Sequence, residues 1–367
     1  MTLKLLYYPL KDKSIMKNLI MFIPSITNGG MEKNFFSTAK NLKKKGVNIL
    51  GVSCSKNKFK KKVNLKRNYG LLELDKLNLK IKLLLSFFIL IIKNFYRKYP
   101  VLSFQGNIFA IIASKIIGCK VCIRLNSHPD YYIKNSFQKS MFTFFYKMAN
   151  NIIVNSKEIQ NLLKYKYNLK SSLIYNEIDS FELIRKSRNK INLNFFKKYP
   201  LLISVGRLDK NKNHIFLIKA IQKIKKKLNY NFLILGSGPL KKFLLNKINQ
   251  YELSDRIKII DYKKNPYPYI KKADFLVLSS INEGYPNVLI EAGILNKLII
   301  SSNCKSGPCE IINKNQRGYL FNLNSSSQFI KILTQIRNLG KEKKKIIALK
   351  KYIKKNHSKD HSEQYLK

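Results

Sequence analysis

Two carboxylates eight positions apart, Glu283 and Glu291, lie in the run Asn-Glu-Gly-Tyr-Pro-Asn-Val-Leu-Ile-Glu-Ala-Gly from Asn282 to Gly293. The apolar stretch Phe275 to Leu278 before it reads as a buried parallel strand, and Pro286 suits a first helical turn, where its missing N–H removes nothing. The order is therefore strand, loop, helix. A helix beginning near Pro286, rising ~1.5 Å per residue, carries Glu291 roughly 7.5 Å along its axis. The amides of the Gly284 to Val288 segment, which takes in Tyr285 and Asn287, point back toward its start. Such an N-terminus suits a diphosphate. A ribose alongside the helix would share its hydroxyls with Glu291, and Glu283, outside the helix, would face the group the diphosphate carries.

Two cations are spaced to meet the same anion. Gly206 and Arg207 follow the strand pattern Leu201 to Val205, and Lys212 lies five residues beyond Arg207 in a polar loop. Arg offers a planar fork to phosphate oxygens and Lys a mobile point charge. In a chain this rich in Lys, the pair alone is a weak signal. Gly236, in Gly-Ser-Gly-Pro after Phe232 to Leu235, lets backbone approach a nucleotide closely. Gly29 and Gly30, after the first strand, open a helix whose amides could meet a phosphate or sugar, although a plain tight turn explains them equally well. His128, just past a strand end in Arg124-Leu-Asn-Ser-His-Pro-Asp, can trade protons near neutrality, but a loop histidine of this kind is more often simply exposed. His357 and His361 lack the glutamate of a zinc-protease motif. No Asp-x-Asp occurs in the chain, so no carboxylate pair is in place to hold a divalent metal on a diphosphate. No metal site and no cofactor are expected.

The elements that must position these residues alternate from end to end. β-rich runs at Leu19, Val47, Val101, Val121 and Ile152 are followed by helical patterns, and the alternation pauses between Glu177 and Tyr199 before restarting at Leu201. This is an α/β doubly wound pattern. The expected division is an N-terminal Rossmann-like domain over 1–180, with 1–16 a dispensable extension, and a C-terminal Rossmann-like domain over 181–345. A basic helix and tail follow over 346–367, the last ten residues loose. Two such domains leave a cleft between the carboxyl ends of their sheets, where open α/β sheets bind ligands.

Composition narrows the partners. Seventy-one Lys and Arg against twenty Asp and Glu give a formal charge of +51, which attracts polyanions. A Lys-, Asn- and Ile-rich composition of the kind adenine- and thymine-rich coding produces accounts for this without function; contact with an anionic bilayer is the rival, at about 1 kcal/mol per nearby Lys or Arg. Nucleic-acid binding is the outside reading, without a recognised module to support it. Five cysteines without framework spacing argue for a reducing, cytoplasmic compartment. Cys119 and Cys122, read on one strand, would point to opposite faces rather than converge on zinc. The apolar run Leu83 to Ile92 falls short of the roughly 20 residues that span a bilayer; a buried core helix is the first reading and an interfacial segment the second.

Taken together, Gly29-Gly-Met-Glu, Asn155-Ser, Val205-Gly-Arg-Leu, Lys212-Asn, Leu235-Gly-Ser-Gly-Pro, Asn282-Glu-Gly-Tyr-Pro-Asn, Glu291-Ala and Cys304-Lys-Ser-Gly-Pro-Cys resemble the retaining glycosyltransferases of family four, which have the GT-B fold. The resemblance runs through nearly the whole chain and implies two Rossmann-like domains facing across a cleft. It implies that Arg207 and Lys212 hold a donor diphosphate, that Glu291 binds its ribose, and that Glu283 lies at the transferred sugar. Many members place a histidine after the fourth N-terminal strand to contact the sugar; Asn126 and His128 compete for that place here, and Cys309 replaces a residue that is often polar or basic. The implied reaction is front-face, metal-independent transfer from a nucleotide diphosphate sugar, a UDP-sugar as the family-based expectation, with the anomeric configuration retained. The acceptor would be a glycan or lipid-linked glycan of cell-surface polysaccharide or lipopolysaccharide synthesis, met by a cytoplasmic protein peripheral to the inner membrane. A catalytically silent GT-B protein that binds a sugar nucleotide is the alternative within the fold.

Overall fold

The computed structural model describes residues 18–27, 29–57, 59, 70–194, 196, 199–304, 306–336, 342–357 and 362–365. The expected extension at 1–16 and Asn28 lie outside the described residues. The chain divides into two compact units, one of residues 1–177 and 360–367 and the other of residues 178–359.

The first unit is a six-stranded parallel sheet built from β1 (Asn18–Phe22), β2 (Asn48–Val52), β3 (Val101–Ser103), β4 (Val121–Leu125), β5 (Asn151–Val154) and β6 (Ser172–Leu173). Its order is β2-β1-β3-β4-β5-β6. Apolar residues on both faces of these short runs explain the parallel sheet, since helices must cover both sides. One face is covered by α1 (Gly30–Lys44), where Phe35 meets Phe36, Phe59 and Phe104 edge to face. The other is covered by α2 (Leu79–Asn94), α3 (Asn107–Ile117), α4 (Ser136–Lys147) and α5 (Lys157–Tyr167).

The second unit repeats the plan with β7 (Leu201–Val205), β8 (Asn231–Leu235), β9 (Ile257–Ile260), β10 (Phe275–Leu278), β11 (Leu298–Ser302) and β12 (Tyr319–Phe321). The order β9-β8-β7-β10-β11-β12 reverses between β7 and β10, which makes the crevice beyond their carboxyl ends the topological switch point. The helices are α6 (Ser180–Lys186), α7 (His214–Ile224), α8 (Lys241–Gln250), α9 (Tyr267–Lys272), α10 (Asn287–Ile294), α11 (Gly307–Ile312), α12 (Ser326–Gln335) and α13 (Lys343–His357). α10 packs so closely on α13 that a Cβ on Gly293 would lie 2.3 Å from Ile353 Cδ1. Two parallel α/β sheets in succession match the expected doubly wound architecture.

Several local expectations change. The segment after Glu177 is not without structure: Asp179 caps α6 by accepting from the Glu182 amide at 2.9 Å, an Asp-x-x-Glu signature that its polar composition concealed. Cys119 precedes β4 instead of lying on it, because Gly118 ends α3 in the left-handed region at φ 73°. All five cysteines are free. The tail is not wholly loose: Tyr365 is buried in the first unit, its hydroxyl accepting from the Arg124 guanidinium. Arg124, itself buried, also donates to Ile174 O and Asn176 Oδ1 at 2.9 Å.

The reading of Leu83 to Ile92 as a core helix holds for one side only: Leu90 is buried in the core of the first unit, and Phe87, Ile89 and Ile91 pack against that core partly buried. The face of α2 turned to the protein carries Lys82, Ser86, Leu90 and Asn94, and the polar members are satisfied there. Lys82 Nζ donates to Asp75 O at 2.9 Å, Ser86 Oγ lies 3.3 Å from Cys54 Sγ, and Asn94 bridges both backbone groups of its Tyr99 turn. Other apolar residues of the run point outward, with Phe88 56% and Ile92 71% exposed. No helix among the described residues is long and apolar enough to cross a membrane.

Candidate functional site

Three loops at the carboxyl ends of β7, β8 and β10 are zipped together by their own backbone. Gly206 N donates to Leu235 O at 3.1 Å and Leu208 N to Ser237 O at 3.0 Å. A Cβ on Gly236 would stand 1.8 Å from Gly206 O, and one on Gly238 2.4 Å from Leu208 O. The Gly-Ser-Gly-Pro glycines are therefore required by the neighbouring loop, a demand independent of any ligand. The loop after β10 is joined to the loop after β7 as firmly. Asn211 donates to Asn282 O at 2.9 Å and accepts from Asn282 N at 3.1 Å, while Ser279 Oγ donates to Lys212 O at 2.8 Å.

This lacing brings the expected cation and carboxylate together. Lys212 Nζ lies 2.5 Å from Glu283 Oε1, with side chains 21% and 12% exposed. Asp209 accepts from the Lys212 amide at 3.0 Å and fixes where the lysine stem leaves the loop. Gly206 leaves room for that stem, a Cβ there falling 3.2 Å from Lys212 Cδ. Arg207 is 68% exposed and only 3.8 Å from Asp209 Oδ2, so it reaches outward on a loosely held arm. The site thus holds one cation paired with a carboxylate and one cation open to solvent.

The helix N-terminus follows at once. α10 begins at Asn287, with Pro286 at the cap position and no side chain capping it, one residue later than expected. Gly284 is clamped from the far side: Ser306 donates to Glu283 O and to Gly284 O, the latter at 2.8 Å, and Gly307 N donates to Gly284 O at 2.8 Å. A Cβ on Gly307 would meet Gly284 O at 2.6 Å. Tyr285 turns inward, its hydroxyl 2.7 Å from Tyr352 Oη and 3.0 Å from His357 Nε2 on α13. Its side chain thus anchors the loop, leaving its backbone to the site. Val288 lies in the first turn and Glu291 one turn further in α10, where Glu291 is buried.

The electrostatics follow from this packing. Burial first, and the Glu283 charge second, push the Cys304 thiol up to about 12, so it remains a neutral thiol beside the carboxylate. His214, first residue of α7, is buried with neither ring nitrogen bonded. Burial and then the Lys212 charge lower its pKa to about 4. Among the described residues no group of His, Cys, Asp and Glu could hold a metal ion.

The remaining expected residues belong to the first unit. Gly29 caps α1 with extended backbone, and Gly30 begins it. Glu32 folds back so that Oε1 accepts from Thr27 N at 2.9 Å and Thr27 Oγ1 at 2.6 Å, placing a carboxylate at that N-terminus. His128 is buried, not exposed, ahead of a short 3-10 turn at Pro129–Tyr131. Asn126 is engaged at both ends, donating to Phe104 O at 3.1 Å and accepting from Arg124 Nε at 3.3 Å.

Sequence reasoning missed the supports. Asn211, Ser279 and Ser306 hold the site loops, and Tyr352 and His357 anchor Tyr285. The Ser306-Gly307 pair was visible as a motif piece, and His357 was weighed only as a metal ligand.

Comparison with known proteins bears on the family and the fold. Residues 185–355 match the model of the family glycosyl transferases group 1. An N-acetylgalactosamine-N,N'-diacetylbacillosaminyl-diphospho-undecaprenol 4-alpha-N-acetylgalactosaminyltransferase of Campylobacter jejuni is 33% identical over 63% of this chain and 65% of its own length. The amylovoran biosynthesis glycosyltransferase AmsD of Erwinia amylovora is 28% identical over 63% of this chain and 64% of its own. The chain thus spans less than two thirds of the length of these curated relatives. The crystal structure of Anabaena HepE in complex with UDP-glucose superposes with a TM-score of 0.77 at 15% identity, covering 95% of this chain and 98% of that one. That likeness shows the fold.

Proposed function

We propose, from the premise that residues 185–355 are a glycosyl transferases group 1 domain, that the protein transfers a sugar from a nucleotide diphosphate sugar, a UDP-sugar in our reading, to a glycan or lipid-linked glycan. One observation carries this: the Lys212–Glu283 pair at 2.5 Å, held at the switch point beside the uncapped start of α10. Lys212, the exposed Arg207 and the Gly284 to Val288 backbone bind the diphosphate; Gly206 and Gly236 let the loops close to that spacing. Glu283 faces the transferred sugar and Glu291 the ribose. Gly29, Gly30 and His128 serve the acceptor or sugar side. The bond between the sugar's anomeric carbon and the diphosphate breaks, the departing phosphate oxygen takes the acceptor's proton, and the new glycosidic bond forms on the same face. The side chains supply position and charge, the terms that dominate such catalysis, and no metal is assigned a part.

A relative supports the acceptor class in this reading: the Campylobacter enzyme is named for a diphospho-undecaprenol-linked glycan. A lipid-linked acceptor met at the cytoplasmic face of an anionic membrane fits the +51 charge. The test is a thermal-shift and transfer screen over nucleotide sugars with purified protein, since a ligand that binds only the folded form raises its Tm. A donor that raises Tm and is consumed with an acceptor supports the reading. Arg207→Ala and Lys212→Ala variants that fold and transfer sugar as well as the parent overturn the assignment of these two residues.

A further inference from the structure

We infer that the outer side of the α2-α3-α4 layer in the first unit is a docking surface for an anionic lipid bilayer. On α2 and at its C-cap the exposed positions Leu84, Phe88, Ile92 and Phe95 recur every three or four residues, one stripe of a 3.6-residue helix. The buried stripe opposite carries Lys82, Ser86, Leu90 and Asn94. A helix on a water-facing surface turns polar residues outward, whereas this one is apolar toward its surroundings as well as at Leu90 toward its core.

The stripe has neighbours. α2 packs on α3 and α3 on α4, and their inner residues Leu90, Ile111 and Phe142 share one core cluster. The outward residues of the same layer include Ile116, 54% exposed, with Phe137 and Phe144 at 73% and 62%. Single exposed hydrophobics are ordinary, but a group of this kind marks an interaction site.

Charge selects the occupant. Lys80 and Lys93 flank the α2 stripe, Arg97 and Lys98 follow it, and Lys115 and Lys139 lie exposed on α3 and α4. Between residues 79 and 150 the one acid is Asp130, already paired with Lys166 at 2.6 Å. An apolar stripe rimmed by cations is the pattern of a helix lying in the headgroup region, apolar side in the acyl boundary and Lys and Arg at anionic headgroups. A second copy of this chain would set these cations against their own kind. A nucleic acid would leave the Phe and Ile side chains without a use.

The inference rests on the proposed membrane-borne acceptor for its purpose, and its test keeps the two apart. Flotation with vesicles of neutral phosphatidylcholine, and of the same lipid with about one third phosphatidylglycerol, is measured for the parent, for Phe88→Asp/Ile92→Asp and for Lys93→Glu/Arg97→Glu. We expect binding to the anionic vesicles, reduced about tenfold or more by either double variant. UDP binding and Tm in the same preparations report on folding and on the second unit. If the apolar-to-Asp variant, folded by its Tm, floats as well as the parent, binding is general attraction of a basic chain and the surface is overturned. The surface is likewise overturned if the parent fails to float, or if light scattering shows a dimer that the same variant dissolves. Loss of UDP binding in the parent with flotation intact refutes the donor site and leaves the docking surface standing.

Discussion

Glu283→Gln should tighten the binding of a bare nucleoside diphosphate while lowering sugar transfer. The carboxylate lies 2.5 Å from Lys212 Nζ, and a phosphate oxygen held by the same ammonium would sit ~2.8 Å from it. The two anionic oxygens are then about 5 Å apart. At an effective dielectric of about 20, two unit charges at that separation repel by roughly 3 kcal/mol; with solvent reaching the pair, about 1–3 kcal/mol is the working range, a factor of about 5 to 150 in Kd. The amide keeps the shape and removes the repulsion. Lys212→Met acts in the opposite sense, leaving Glu283 beside the anion without its cation. Because the residues touch, the double variant should be non-additive. Titration calorimetry with UDP at low and moderate salt measures all four proteins. UDP bound equally or more weakly by a folded Glu283→Gln protein refutes the shared-anion geometry.

Three other outcomes are expected. Gly236→Ala, whose Cβ meets backbone at 1.8 Å, should cost about 3 kcal/mol or more, whereas Gly206→Ala meets only the flexible Lys212 stem at 3.2 Å and should cost far less; equal denaturation midpoints would contradict the packing. His214 has its pKa lowered from 6.5 to about 4 by burial, so the unfolded state binds the extra proton between those values. Its contribution is complete above about pH 6.5 and is lost as pH falls toward 4, up to about 3 kcal/mol. His214→Leu should remove that acid limb in pH-dependent unfolding, and an unchanged limb rejects the account. Tyr365→Ala should lower the stability of the first unit by about 1–3 kcal/mol, since buried Arg124 loses a partner, with Tyr365→Phe between it and the parent; hydrogen exchange in β4 reads it.

The architecture was legible because the strands are short apolar runs in fixed alternation with helices, a pattern that topology rules turn into parallel sheets. Lys212, Glu283 and the start of α10 were legible because residue type, spacing and strand ends coincide there. The supports were not. Asn211 reaches Asn282 across 71 positions, and His357 reaches Tyr285 across 72, separations no local pattern encodes. α2 was legible only in part. Its apolar run is nearly continuous, so periodicity does not say that Leu90 faces the core while Phe88 and Ile92 face out, and the inward places of Lys82, Ser86 and Asn94 depend on the distant neighbours Asp75, Cys54 and Tyr99.

Arg124 and Tyr365 meet across 241 residues of chain, although both belong to the first unit. On a ribosome adding ~5–20 residues per second, the guanidinium waits about 12 to 48 seconds for the phenol that covers it. The first sheet can assemble in that interval with one charged position open to water. Its closure therefore follows the synthesis of the second sheet, whose residues lie between the two partners in the chain.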